Sequence, residues 1–151
     1  ARTSVDLDTI LLIAASFGVG TAMEKTGLAA TVAEWIVTPA MNFGTVGVLA
    51  AIVLATMAVT EMITNNAAAV LIFPIATAAA VQSGTDPRAF AIAVAMAASA
   101  SFLTPIGYQT NTMVYGPGGY RFGDYARLGA PLTLVVAIGI VGGIAFQWRM
   151  W

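Results

Sequence analysis

The chain contains no cysteine and no histidine, and among its 151 residues only 6 Lys+Arg stand against 7 Asp+Glu. Without cysteine there are no disulfides, thiolate nucleophiles or thiolate metal centres. Without histidine there are no imidazole ligands and no triad with an imidazole base. A net charge of −1 leaves no basic field to hold nucleic acid. Charged residues make up 9% of the chain, where a soluble domain carries about a quarter. Apolar residues make up 59% and the mean hydropathy is +0.87. Such a chain cannot cover its surface in water, so its main solvent is the lipid bilayer. The chemistry that remains belongs to carboxylates, hydroxyls, amides and backbone. No nucleophile–base pair is evident, and an enzyme is not expected.

What is present is a series of apolar blocks divided by polar punctuation. Asp6 and Asp8 flank a block at 7–23 that ends in Glu24-Lys25-Thr26-Gly27, with Gly27 placed to close a helix in the left-handed conformation. The block at 28–37 is shorter. Its Glu34-Trp35 pair suits a membrane–water interface, and Pro39 is expected to close it. An apolar stretch at 43–63, interrupted only by Glu61, halts at Thr64-Asn65-Asn66 and resumes at 67–81 before the turn cluster Ser83-Gly84-Thr85-Asp86-Pro87-Arg88. The second stretch is about 22 Å long as a helix, short of a hydrocarbon core of about 30 Å. The pair therefore predicts a re-entrant hairpin over about 45–82, its tip inside the membrane.

Residues 89–103 run apolar into Thr104-Pro105-Ile106-Gly107-Tyr108-Gln109-Thr110-Asn111, which predicts a broken helix over about 89–116. Gly116-Pro117-Gly118-Gly119 lacks the Lys-Ser/Thr ending of a phosphate loop and is expected to be a turn. The polar, aromatic piece at 121–127 suits the interface. A last span over about 128–147 is closed by an anchor containing Trp148, Arg149 and Trp151. Gly18, Gly20, Gly44, Gly47, Gly139, Gly142 and Gly143 are expected to let helices pack closely. The fold class is all-α integral membrane, a helical bundle with a re-entrant helical hairpin and a broken transmembrane helix, forming one membrane domain over 1–151.

Two broken elements carry the chemistry. Backbone at membrane depth must be buried or line a cavity if its hydrogen bonds are broken. Helices stopping near Ile63 and Leu103 would present free carbonyls that suit a small cation. Helices restarting near Asn66 and Asn111 would present N–H groups that suit an anion. Paired breaks of this kind build midplane sites in secondary transporters. The same Thr, Asn and Pro residues also cap ordinary helices outside a membrane, as in a structural subunit that binds no substrate. Glu61, the one carboxylate inside a long apolar block, is open to four roles: cation ligand, proton carrier, ion-pair partner, or acceptor for broken backbone.

The ordered set Thr60-Glu61-Met62-Ile63-Thr64-Asn65-Asn66-Ala67, Pro74, residues 104–111, Gly116-Pro117-Gly118-Gly119-Tyr120 and Asp124-Tyr125-Ala126-Arg127-Leu128-Gly129 resembles the divalent anion:sodium symporter family, in particular its sulfate-type bacterial permeases. Glu24-Lys25-Thr26-Gly27-Leu28-Ala29 belongs to the same likeness, which covers essentially the whole chain. The resemblance implies the C-terminal one of two inverted repeats, with a missing N-terminal repeat, in a homodimeric protein of the bacterial inner membrane. It implies a sodium ion, the coupling ion, at Thr60, Ile63 (backbone), Asn65, Gly107 and Tyr108. It implies an inorganic or small dicarboxylate anion at Thr64, Asn65, Asn66, Thr110 and Asn111. The hairpin tip departs from the family's Ser-Asn-Thr, with Thr64 first and Asn66 third. A hydroxyl exchanged for an amide at the anion contact favours a small oxyanion such as sulfate over a dicarboxylate. A proton-coupled permease acting through Glu61 is the alternative within the same superfamily.

Overall fold

The computed structural model describes residues 7–150. Asp6 and Trp151, expected as flank and anchor, lie outside the described residues, as do the side chain of Asp8 and the surroundings of Gly20. Along the chain come α1 (Leu7–Lys25), α2 (Leu28–Ala40), α3 (Gly44–Thr60), α4 (Asn65–Gln82), α5 (Pro87–Ala98), α6 (Gln109–Tyr115) and α7 (Phe122–Gln147), with a 3₁₀ turn at Met41–Phe43. No strand occurs among the described residues. Three stretches among them are long and apolar enough to cross a bilayer: Leu28–Thr60, Asn65–Gln82 and Phe122–Gln147. The protein is an integral membrane helical bundle.

Local chemistry explains most of the boundaries. Gly27 has φ 74°, the left-handed turn that separates α1 from α2. Thr64 caps α4 by accepting the Ala67 N–H, and Asp86 caps α5 by accepting the Arg88 N–H at 2.9 Å, with Pro87 at the first helical position. At α7 the Asp124 carboxylate accepts the Arg121 N–H at 2.8 Å.

Several boundaries differ from the sequence expectation. Pro39 does not close α2. The helix runs on to Ala40 and passes through the 3₁₀ turn into α3, so the first hairpin arm continues a 33-residue apolar stretch. Pro39 sits where the helix already turns at Met41–Phe43, so its lack of an N–H and its ring disturb little beyond that turn. α4 has 18 residues, about 27 Å at the helical rise, because Asn65, Asn66 and Gln82 join the apolar run. The interfacial piece at 121–127 is the beginning of α7 rather than a separate segment. α3 stops at Thr60 and α5 at Ala98, three and five residues before the expected ends.

α4 packs against α1, α2, α3 and α5, and α3 in turn contacts α2, α5 and α7. The core holds Leu49, Ile52, Val53 and Phe90, but much of it is alanine, including the fully buried Ala33, Ala76, Ala79, Ala80, Ala93 and Ala97. In lipid, helix association draws on close van der Waals contact rather than on apolar burial from water, and small residues permit that contact. Large apolar side chains such as Leu54, Val81, Leu134, Val135, Ile138 and Phe146 face outward. The glycine expectation holds only in part. A Cβ at Gly18, Gly44, Gly139, Gly142 or Gly143 would meet nothing within 4 Å, and at Gly47 it would meet the adjoining turn. The glycines under close approach from distant backbone are Gly107 and Gly129.

Candidate functional site

The first break lies between α3 and α4, the second between α5 and α6. Thr60, the last residue of α3, is fully buried. Its Oγ1 lies 2.8 Å from the Ala98 carbonyl at the end of α5 and 3.1 Å from Asn65 Oδ1. A hydroxyl carries one proton, and the carbonyl can only accept it. The Asn65 contact is therefore completed best when the amide turns its NH₂ toward the hydroxyl oxygen. With the amide so turned, the pair ties the end of α3, the start of α4 and the end of α5 to one point.

Glu61 joins the breaks directly. Its Oε1 accepts the Leu103 N–H at 2.9 Å and its Oε2 accepts the Thr104 N–H at 2.9 Å. Thr104 returns a bond, its hydroxyl donating to the Glu61 carbonyl at 3.2 Å and accepting the Gly107 N–H at 3.1 Å. Of the four roles open to Glu61, the geometry gives it that of acceptor for broken backbone, and no ion pair forms among the described residues.

Gly107 sits where the two breaks touch. A Cβ there would lie 2.0 Å from Ser101 Oγ, 2.9 Å from the Thr60 carbonyl oxygen and 3.1 Å from Glu61 Cα. Only a residue without a side chain lets the second break come this close. Ser101 is 2% exposed and its Oγ has no hydrogen-bond partner. A buried orphan hydroxyl is costly, about 1–3 kcal/mol, and a group held in that state calls for an explanation such as an ion. Sequence reasoning missed Ser101, because it lies in the run Ala98-Ser99-Ala100-Ser101, where serine passes for a small packing residue.

The structure thus brings Thr60, Asn65 and Gly107 together, with Ser101 added. Asn111 is spoken for: its amide donates to the carbonyls of Ser101 at 3.1 Å and Thr104 at 3.2 Å, while its own carbonyl accepts the Tyr125 hydroxyl at 3.0 Å. The Asn111 amide hydrogens therefore brace the second break. Thr64, Asn66 and Thr110 are exposed, as are Ile63 and Tyr108. No hydrogen bond among the described residues joins these five across the breaks. The carbonyl of Tyr108 accepts the Thr112 N–H at 3.2 Å within α6's first turn. α6 has seven residues, too few for an appreciable macrodipole, so backbone N–H display rests on α4 rather than on both restarts.

A cavity of about 300 Å³ lies between the second break, α6 and the start of α7, lined by Phe102, Val114, Tyr120, Leu128 and others. It is open and mainly apolar and reaches the break residues through Asn111. Its lining does not suit a small divalent anion.

The model of the citrate transporter family matches residues 1–95. An uncharacterized transporter of Synechocystis is 48% identical over 87% of this chain and 21% of its own length. The sodium/sulfate cotransporter 2 of Chlamydomonas reinhardtii is 38% identical over 100% of this chain and 17% of its own. The sodium-dependent dicarboxylate transporter SdcS of Staphylococcus aureus is 32% identical over 54% of this chain and 16% of its own. The chain spans about a fifth of the length of the curated relatives it matches.

Proposed function

The chain belongs to the citrate transporter family, and from that premise we propose that it is one repeat of a secondary transporter carrying a small divalent anion together with sodium. The observation that carries this reading is the meeting of two interrupted helices at Thr60, Asn65, Ser101 and Gly107, where an orphan hydroxyl and the last carbonyl of α3 both lie beside Gly107. Neutral oxygen donors at a helix C-terminus suit a monovalent cation. Sodium is held by Thr60, Asn65 and backbone of Ile63 and Gly107, whereas the Tyr108 carbonyl, expected in the same set, is taken up by Thr112. Its charge then favours an anion at the exposed tip, where Thr64 and Asn66 sit at the N-terminus of α4, with Thr110 of the second break as a further contact. Asn65 belongs to both contacts, and Asn111 acts by fixing the second break behind them.

Sulfate is the preferred anion. The likeness to a sodium/sulfate cotransporter along the whole chain supports it, as does the Thr64-Asn65-Asn66 tip. Relatives several times as long support a second repeat that supplies the other half of the site. The resemblance to the symporter family adds a homodimer of the bacterial inner membrane. Transport follows from movement of the site-bearing bundle against a scaffold.

The test is isotope uptake by the whole protein in proteoliposomes. Asn65→Ala is expected to abolish sodium-dependent sulfate uptake, and uptake at the wild-type rate would remove the site assignment. Thermal stability separates this reading from a substrate-free membrane subunit. A sodium site predicts stabilisation that grows with sodium and not with potassium.

A further inference from the structure

Glu61 occupies an odd position. It is the residue that follows the last turn of α3, where carbonyls point outward and the helix carries partial negative charge. A carboxylate is disfavoured there unless something offsets it. No Lys or Arg pairs with it among the described residues. What it has instead are two consecutive backbone N–H groups, Leu103 and Thr104, 42 and 43 residues away in sequence, one on each oxygen at 2.9 Å. That is the acceptor-only pattern of a carboxylate. The link is reciprocal, because the Thr104 hydroxyl donates to the Glu61 carbonyl. The same hydroxyl accepts the Gly107 N–H, which carries the connection to the residue packed against the Thr60 carbonyl.

We infer that Glu61 is a positioning residue for the cation site: it fastens the second break to the first, and its charge beside the α3 carbonyls makes that fastened arrangement tighter when a monovalent cation is bound. The inference rests on the sodium reading given above. The carboxylate touches neither ion nor anion. It acts by holding Gly107 and Ser101 against Thr60, so that oxygens from two separate chain segments face one point.

The experiment uses the whole protein, purified in detergent and titrated with sodium chloride at constant ionic strength in choline chloride, with melting temperature as the readout. Sulfate uptake in proteoliposomes is measured in parallel. Glu61→Gln keeps the shape but replaces one acceptor with a donor facing an N–H. Glu61→Asp keeps the charge but falls one methylene short of Leu103 and Thr104. Both are expected to raise the sodium concentration for half-maximal stabilisation about tenfold. Thr104→Val, which removes the reciprocal bond to the Glu61 carbonyl and the acceptor for the Gly107 N–H but leaves the carboxylate in place, is expected to raise it about threefold and serves if the Glu61 variants fail to fold. At saturating sodium, the pH profile of uptake in Glu61→Gln should match that of the wild type.

Wild-type sodium dependence in both Glu61→Gln and Thr104→Val would overturn the inference. So would an unaltered Glu61→Asp beside an inactive Glu61→Gln, since charge without reach would then suffice. A pH profile that flattens in Glu61→Gln would make Glu61 a proton carrier. If the wild type itself shows no preference for sodium over choline or potassium, it is the underlying sodium reading that fails.

Discussion

The break at 61–64 takes four residues and leaves Met62, Thr64 and Asn66 exposed, whereas the break at 99–108 takes ten and is braced from several sides. Glu61 holds the N–H groups of Leu103 and Thr104, Asn111 holds the carbonyls of Ser101 and Thr104, Thr112 donates to the Pro105 carbonyl at 2.7 Å, and α7 presses Gly129 against Phe102. The short break needs little support because α4 restarts almost at once with its own Thr64 cap. The long break leaves more peptide groups without helical partners, and each buried one needs a donor or acceptor from elsewhere. One segment is therefore a display surface and the other a supported frame. Substitutions that strain the frame or remove one of its braces should cost stability, and substitutions in the display should change what is bound.

The sharpest way to break this contrast is to push on the frame. A Cβ at Gly129 would lie 2.0 Å from the Phe102 carbonyl oxygen and 2.6 Å from its carbon, and backbone cannot swing aside as a flexible side chain can. Gly129→Ala is expected to destabilise the whole protein by about 1–3 kcal/mol, read as a drop in melting temperature in detergent. Gly139→Ala on the same helix, with nothing within 4 Å, provides the matched control. Its stability should equal that of the wild type or exceed it by up to about 1 kcal/mol, since alanine is the better helix former. Equal effects at the two positions would mean that α7 does not brace the second break.

That pair of glycines also marks the limit of what the sequence could tell. Apolar blocks, the Gly27 turn, a restart near Asn66 and the existence of two breaks follow from composition and from local capping rules, which act within a few residues. The helix ends at Thr60 and Ala98 do not, because they are set by partners more than 30 residues away. Glu61 reaches Leu103, and Thr60 reaches the Ala98 carbonyl. Gly107 and Gly129 are no different in sequence from the glycines whose surroundings are open; only the approach of a second segment distinguishes them. Ser101 was hidden for the same reason, since its significance lies in being buried without a partner.

Ser101 gives a smaller and more selective test of the frame. Removing a buried hydroxyl that has no partner relieves a desolvation cost, so Ser101→Ala should stabilise the sodium-free protein by about 1 kcal/mol. If the hydroxyl faces the cation, the same substitution should shrink the additional stabilisation that sodium confers. The two effects have opposite signs, and a sodium titration of melting temperature separates them. A uniform shift at every sodium concentration would leave Ser101 as packing and would return the site to the oxygens of Thr60, Asn65 and nearby backbone.

The display side should behave in the reverse way. Asn66 is exposed, and among the described residues no hydrogen bond of its side chain ties it to the frame. Asn66→Thr therefore removes no interior contact, and its effect on melting temperature should correspond to less than about 0.5 kcal/mol. It does replace an amide, with two N–H donors on a longer arm, by a hydroxyl with one donor and a methyl group. An oxyanion bound at the start of α4 would feel that change directly, through lost donors and altered spacing. Competition of unlabelled sulfate and succinate against labelled sulfate should move toward the dicarboxylate in Asn66→Thr while the sodium dependence stays as in the wild type. A large loss of stability with unchanged anion preference would place Asn66 in the frame and dissolve the distinction between the two breaks.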